Sequence, residues 1–250
     1  MKVVVTGGGT SAPIDDVRVI TNVSTGRTAA AIAEACLALG DEVWHVHAPH
    51  AELPLLRHAR LDLDADPGAE RERLDRLRER WRADRDRLHL RPLGVGTVAE
   101  YAEALRTALA ESAADVAFLP MAVSDYEPEP RAGKISSRLD DLAIPLRRTP
   151  KVIRCVRDWA PSAYLVGFKL LSGAATEDLI RAARDACLIN RADLTVANDL
   201  EDVRAGRHTL HLVRPGREVE TLPPGPDLAA RLVDRARSWA SGPDAPPRGI

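Results

Sequence analysis

An α/β fold with a doubly wound, Rossmann-like and mostly parallel sheet is predicted by three observations. Lys2-Val3-Val4-Val5-Thr6 is a β-branched run ended by Gly7-Gly8-Gly9, the pattern of a buried parallel strand leading into a ligand-facing turn. Short apolar strand patterns then alternate with helical ones along most of the chain. Finally, 250 residues with 45% hydrophobic side chains are enough to bury a full core of that class.

The elements follow in order. Residues 26–39 (GRTAAAIAEACLAL) form an alanine-rich helical pattern stopped by Gly40, and Glu42 to His47 supply a second strand. Residues 51–91 are crowded with Arg, Asp and Glu, and their only apolar stripe is Leu74, Leu77 and Trp81, so they predict a charged, exposed helical insertion. A helix over 97–111 precedes a strand at Asp115 to Leu119. The polar excursion from Tyr126 to Pro145, punctuated by Pro128 and Pro130, predicts a flap. A helix over 151–159, a strand at Tyr164 to Phe168, a helix over 175–190 and a strand at Leu194 to Ala197 continue the alternation. Thr209 to Val213 and Glu218 to Leu222 read as a β-hairpin around Pro215-Gly216, and Asp227 to Trp239 as a last helix. Residues 1–240 are expected to form one domain and 241–250 a disordered tail.

The composition narrows the chemistry. No apolar run approaches the ~18 residues that span a bilayer, and no charged, cleavable leader precedes the first strand. Cys36, Cys155 and Cys187 are odd in number and lack metal-type spacing, which fits a reduced, cytoplasmic compartment. A net charge of -2 gives no global attraction for nucleic acid, so an anionic ligand must be held by a local cluster. Only Lys2, Lys134, Lys151 and Lys169 are lysines among 35 basic residues, and three of them fall between 134 and 169. Lysine is the compact, mobile charge suited to phosphate oxygens.

Gly7-Gly8-Gly9-Thr10-Ser11-Ala12 satisfies G-x-G-x-x-A after a strand and raises a nicotinamide or flavin oxidoreductase as one reading. That fingerprint needs a helix to begin inside the turn, yet Pro13 and a long stretch intervene, and the second strand ends His45-Val46-His47-Ala48 without an acid for ribose hydroxyls. The helix start lies instead at Asn22-Val23-Ser24-Thr25-Gly26-Arg27. There Ser24 reads as a hydroxyl cap, and Arg18 and Asn22 lie four apart in the loop before it. Ordinary capping and a phosphate seat are both compatible with that segment.

Thr6 to Arg27, reading TGGGTSAPIDDVRVITNVSTGR, resembles the N-terminal signature of the phosphopantothenate-cysteine ligase family. Met121-Ala122-Val123-Ser124-Asp125-Tyr126 with Gly133-Lys134-Ile135 is similar to a second block of that family. Val166-Gly167-Phe168-Lys169 with Ala192 to Asp199 is similar to a third. The charged insertion, Lys151 and Phe168-Lys169-Leu170 look more like the free-standing form than the form fused to a flavin-dependent decarboxylase. The resemblance implies a nucleotide-dependent ligase that joins 4'-phosphopantothenate to L-cysteine through an acyl nucleotide, in coenzyme A biosynthesis. It implies that Gly8, Gly9, Ser24, Thr25 and Gly26 receive the nucleotide with Ala122 and Asp125, that Phe168 and Lys169 lie by the base, and that Lys134 neutralises charge at the reacting phosphorus. Asn22 holds the activated acid and Arg18 belongs to the same catalytic set. Asp125 is the candidate ligand for Mg²⁺, although a turn-forming role suits it equally. A homodimer, with the flap reaching a neighbouring site, is implied as well.

Several positions depart from the family pattern. Thr149-Pro150-Lys151 replaces an N-P-D segment, Ala29 replaces a glycine, and Ala186 and Asn190 stand where bacterial members carry two lysines, so ATP and CTP both stay open with ATP favoured. A relative repurposed for another acid and amine is a further alternative. No H-E-x-x-H, G-x-S-x-G or G-x-x-x-x-G-K-[ST] pattern supports zinc, hydrolase or P-loop chemistry.

Overall fold

Val3, Val4 and Val5 are fully buried, with Val3 and Val5 in one apolar cluster and Val4 in another on the opposite face of the sheet. A strand sends successive side chains to opposite faces, and both faces here are apolar because helices cover both. The structure, a computed structural model, describes residues 1–136, 138 and 141–242. Most of the expected tail, residues 243–250, lies outside them.

In chain order the elements are β1 (Lys2–Gly7), β2 (Ser11–Pro13), β3 (Val19–Thr21), α1 (Arg27–Ala38), β4 (Glu42–His47), α2 (Pro67–Asp84), β5 (Leu88–Pro92), α3 (Val98–Ser112), β6 (Val116–Leu119), β7 (Tyr126–Pro128) and β8 (Leu146–Arg148). They continue as α4 (Ile153–Trp159), β9 (Tyr164–Leu171), α5 (Thr176–Ile189), β10 (Leu194–Asp199), α6 (Leu200–Arg204), β11 (Leu210–Val213), β12 (Glu220–Leu222) and α7 (Leu228–Ala240). The central sheet runs β12-β11-β10-β9-β6-β1-β4-β5. It is parallel from β5 to β10 and antiparallel at β11 and β12. Helices α1 and α7 cover one face, and α3, α4 and α5 cover the other. Chain order moves outward from β1 to β5 and then returns to β6 on the other side of β1. The crevice beyond the C-terminal ends of β1 and β6 is therefore the switch point at which such sheets bind ligands.

The charged stretch 51–91 is not wholly an insertion on the sheet. The helix within it is confined to α2, and Leu88–Pro92 adds an edge strand paired in parallel with β4. Leu88 and Leu90 reach the core, while His89 on the other face meets Trp44 at 4.5 Å and Glu42 at 2.8 Å. Leu77 and Trp81 pack on the core as expected, whereas Leu74 lines a surface groove with Leu61 and Leu63. Residues 11–21, read as a loop, pair as an antiparallel hairpin between β2 and β3.

Asp41, between α1 and β4, fastens three remote segments. Its carboxylate is 1% exposed, lies 2.6 Å from the Met1 ammonium and accepts from Arg237 of α7. Arg87, just before β5, donates to the Asp41 carbonyl at 3.0 Å. Removing one member of a buried charge cluster leaves the others uncompensated. Asp41→Ala is therefore expected to lower unfolding free energy by roughly 3 kcal/mol. Asp158→Ala, which breaks an exposed bridge to Arg191, should cost less than about 1 kcal/mol. Urea midpoints that fall equally for the two variants would contradict this account of Asp41.

Candidate active site

The glycine turn is filled by neighbouring backbone. A side chain at Gly9 would come within 2.5 Å of the Asn22 carbonyl oxygen, and one at Gly8, at φ 92°, would meet Ala48 at 2.7 Å. Ala122 donates to the Gly8 carbonyl at 2.9 Å, and Thr10 N donates to the Ala122 carbonyl at 3.0 Å. Ser124 N reaches the Thr10 hydroxyl at 2.9 Å, and the Thr21 hydroxyl donates to the Thr10 carbonyl at 3.1 Å. These contacts join the exits of β1 and β6 to β3. They place Gly8, Gly9, Asn22 and Ala122 together, as expected for one site. A dinucleotide turn would open directly into α1, but the β2–β3 hairpin occupies that path.

Helix α1 begins through glycine rather than through a hydroxyl cap. Gly26 occupies the N-cap position at φ 77° with no side-chain cap, because a Cβ there would press on Ala51 at 2.9 Å and on Gly8 N at 3.1 Å. Ser24 is thus not the cap predicted from sequence; its amide donates to the Asn22 carbonyl at 2.9 Å. The Thr25 hydroxyl accepts from Arg27 N at 3.3 Å. No hydrogen-bond partner for the amides of Thr28 and Ala29 occurs among the described residues, so the positive end of a twelve-residue helix faces the crevice. This end can receive an anion.

Arg18 lies not in the crevice but in a clamp. Asp15, buried at the tip of the β2–β3 hairpin, accepts from Arg18 Nη1 at 2.6 Å, Ile135 N at 3.0 Å, Arg18 N at 2.8 Å and Val17 N at 3.0 Å. Arg18 also donates to the Ile135 carbonyl at 3.3 Å, and Asp16 accepts from Gly133 N at 2.9 Å. The flap between β7 and β8 is thereby docked on the hairpin. Lys134 stands exposed between the two anchoring residues and makes no ion pair among the described residues.

A cavity of about 510 Å³ opens beside the β6 and β9 ends. Phe168, Lys169, Asp125, Ala186 and Asn190 line it, together with Lys151 and Arg154 from the start of α4. Lys151, absent from the site expected on sequence grounds, makes an ion pair with Asp125. Their shared cavity wall is held by Thr149, whose amide donates to the Asp125 carbonyl at 3.0 Å and whose hydroxyl donates to the Ser124 carbonyl at 2.5 Å. No cluster of three or more His, Cys, Asp or Glu side chains suited to a metal occurs among the described residues. Asp125 supplies a lone carboxylate, so it could hold Mg²⁺ only with nucleotide phosphates and water completing the shell. Lys134 does not line the cavity of its own chain.

The sequence matches the DNA/pantothenate metabolism flavoprotein C-terminal domain over residues 1–62 and 86–238. The chain belongs to this family. The family match leaves out residues 63–85, the segment that contains α2. Among relatives, the coenzyme A biosynthesis bifunctional protein of Thermococcus kodakarensis is 30% identical, across 93% of this chain and 50% of that protein. The chain thus spans half the length of that two-function relative. The phosphopantothenate-cysteine ligase of Mus musculus is 32% identical, across 92% of this chain and 81% of its own length. The crystal structure of the DNA/pantothenate metabolism flavoprotein from Streptococcus pneumoniae superposes with a TM-score of 0.75 at 28% identity, covering 96% of this chain and 99% of that one. The doubly wound sheet is the fold of the family.

The clamp has a pH signature. Burial alone would raise the pKa of Asp15, but hydrogen bonds from Ile135, Val17 and Arg18 with the Arg18 charge bring it below its ordinary 3.8. Its contribution is complete above 3.8 and is lost as pH falls through the lower folded value. Hydrogen exchange at the Ile135 amide, corrected for intrinsic rates, should show protection that persists at neutral pH and disappears below that range. In Asp15→Ala, which has no side-chain acceptor, the protection should be missing at every pH; protection equal to that of the unsubstituted chain would rule out the clamp.

Proposed function

We propose that this chain joins 4'-phosphopantothenate to L-cysteine at the expense of a nucleoside triphosphate, as a single ligase unit over residues 1–240 that serves coenzyme A biosynthesis. The observation that carries the reading is the contact of Asn22, Gly9 and Ala122 beside an uncapped helix end, next to a cavity that holds an aromatic ring and cations. No helix among the described residues is long and apolar enough to cross a membrane. Cys36 and Cys187 are buried in clusters on opposite sheet faces as free thiols, which supports a reducing, cytoplasmic setting.

The chemistry asks for charge stabilisation more than for a protein nucleophile. A carboxylate oxygen of the acid attacks the α-phosphorus, pyrophosphate leaves, and the cysteine amine then attacks the acyl carbon and expels the nucleoside monophosphate. The α1 start at Gly26, with Ser24 and Thr25, takes phosphates. Phe168 and Lys169 flank the base, and Asp125 is the residue available to Mg²⁺. Asn22 has no side-chain hydrogen bond among the described residues, so its amide is free to hold the pantothenoyl arm with both donor and acceptor. We assign Arg18 to positioning, because it holds the flap that carries Lys134. ATP is the favoured co-substrate over CTP, since the cavity presents Ala186 on α5 and Asn190 at its C-terminal cap where bacterial members carry lysines.

Incubation with phosphopantothenate, cysteine and each of ATP and CTP, followed by quenching and mass analysis, tests the assignment; absence of the amide with both nucleotides would refute it. In the same assay Lys134→Gln should lose about a hundredfold in both half-reactions, the equivalent of ~3 kcal/mol of transition-state stabilisation. Asn22→Asp should instead retain acyl nucleotide that passes slowly to cysteine. Folded variants with unchanged yields would remove these residues from the mechanism.

Lys134 is docked away from the cavity of its own chain, and Val17, Val19, Val23, Tyr126 and Leu146 around the hairpin and flap are all about half exposed or more. An apolar surface on the two elements that carry catalytic groups supports a homodimer whose flap serves the partner's site. Light scattering at assay concentration is expected to give twice the 27.2 kDa chain mass, and an active monomer would contradict it.

A further inference from the structure

The cavity wall holds an exposed cation in an ion pair that the fold does not need. Lys151 and Asp125 are 46% and 59% exposed at their side chains. Such exposed pairs contribute little net stability, because water screens them and holding two mobile side chains costs entropy. Their backbones are already joined by the Thr149 amide on the Asp125 carbonyl and the Thr149 hydroxyl on the Ser124 carbonyl, and Ser124 is in turn tied to Thr10. The segment that carries the lysine therefore keeps its place when the ion pair opens. Around it the cavity is lined by Arg154 and Lys169 as further cations and by Asp185 as the other anion. With Lys151 neutralised by Asp125, the remaining charged lining of Arg154, Lys169 and Asp185 presents a single net positive charge to an incoming polyanion.

We propose that Lys151 is a phosphate-binding residue held in reserve by Asp125, so that a nucleoside triphosphate entering the cavity exchanges the carboxylate for its own oxygens and uncovers Asp125. The inference rests on the ligase reading of the cavity. A phosphate chain carries more charge than one carboxylate, and the three donors of an ammonium can follow it where a fixed guanidinium fork could not. The exchange couples two events. The cation moves to the nucleotide, and the freed carboxylate becomes available near the same phosphates only after they have arrived. Binding of the nucleotide thus creates the carboxylate that a divalent cation could share, and Lys151 governs the order of assembly.

A double-mutant cycle on the full chain tests the exchange, with ATP titrated calorimetrically in chelator without divalent cation and CTP run in parallel. Lys151→Met should weaken nucleotide binding tenfold or more, and Lys151→Arg should restore only part of it. Asp125→Asn should tighten binding, and the gain should be about threefold greater with Lys151 present than in the Lys151→Met background, because only there does the carboxylate compete for the ammonium. Equal gains in both backgrounds would reduce Asp125 to simple repulsion and overturn the proposal. So would tight binding by Lys151→Met, weaker binding by Asp125→Asn, or no nucleotide binding by the unsubstituted chain. Lys151→Gln, checked by its melting curve, replaces the methionine variant if that one does not fold. Amide formation separates the two levels. A chain that obeys the cycle but makes no phosphopantothenoylcysteine refutes the ligase assignment alone, whereas an active ligase that fails the cycle refutes the exchange alone.

Discussion

The site depends on one buried residue, Thr10. It is fully buried; its amide and hydroxyl meet Ala122 and Ser124 in the loop beyond β6, and its carbonyl meets Thr21 in β3. In an open α/β sheet the loops beyond the switch point are ordinarily free to part around a ligand. Here the two central loops are laced together through Thr10, with the glycine turn packed against its neighbours. Its small residues let the Asn22 backbone and Ala48 approach closely. The β2–β3 hairpin separates β1 from the start of α1 and is the platform on which the flap docks.

This arrangement divides the site into a rigid inner part and an exposed outer part. The inner part is backbone: Gly8, Gly9, Gly26, Ala122 and the free amides of α1. The outer part consists of mobile charges, with Lys134 on the flap and Lys151 against Asp125 at the cavity rim. Preorganised dipoles supply stabilisation without rearrangement, whereas exposed side-chain charges are free to move. Under the glycine turn, His45 fills space as a neutral ring. Burial and its stacked neighbour His47 push its pKa down to about 3, and its nitrogens find no partner among the described residues. It is a packing residue of the inner part.

The alternation of strands and helices was legible because each β-branched or apolar run is bounded by glycine or by a change of period, as with Val3 to Gly7 and Leu194 to Ala197. What escaped had its signal masked by composition or had no local signal. Leu88–Pro92 alternates apolar and polar as an edge strand should, but it adjoins an arginine-rich helix whose charge dominates any window that includes it. The β2–β3 hairpin has three residues per strand, too few for a period to register. Ser24 carries the chemistry of a cap, yet the close approach of Ala51 and Gly8, remote in sequence, selects Gly26 for that position. Asn22, Ala122 and Phe168 could be placed through their motifs. The Arg18 clamp and the Lys151 pairing depend on contacts across more than a hundred residues in one case and twenty-six in the other, and no local pattern encodes them.

The scarcity of lysine acquires a physical meaning in the structure. Arginines hold the frame through geometry: Arg57 forks onto Glu34, Arg73 onto Glu70, Arg157 ties Asp193 to the Ala163 carbonyl, and Arg237 reaches buried Asp41. A planar fork with several fixed donors is suited to such places because it satisfies two or more acceptors at once. Lys134, Lys151 and Lys169 are not used that way. One stands exposed on the flap, one sits in a weak exchangeable pair and one lines the cavity. Arginine carries most of the structural charge, and these three lysines stand where no buried acceptor fixes the cation. The frame is thus built on arginine, and the choice between the two cations follows from whether the fold fixes the partner.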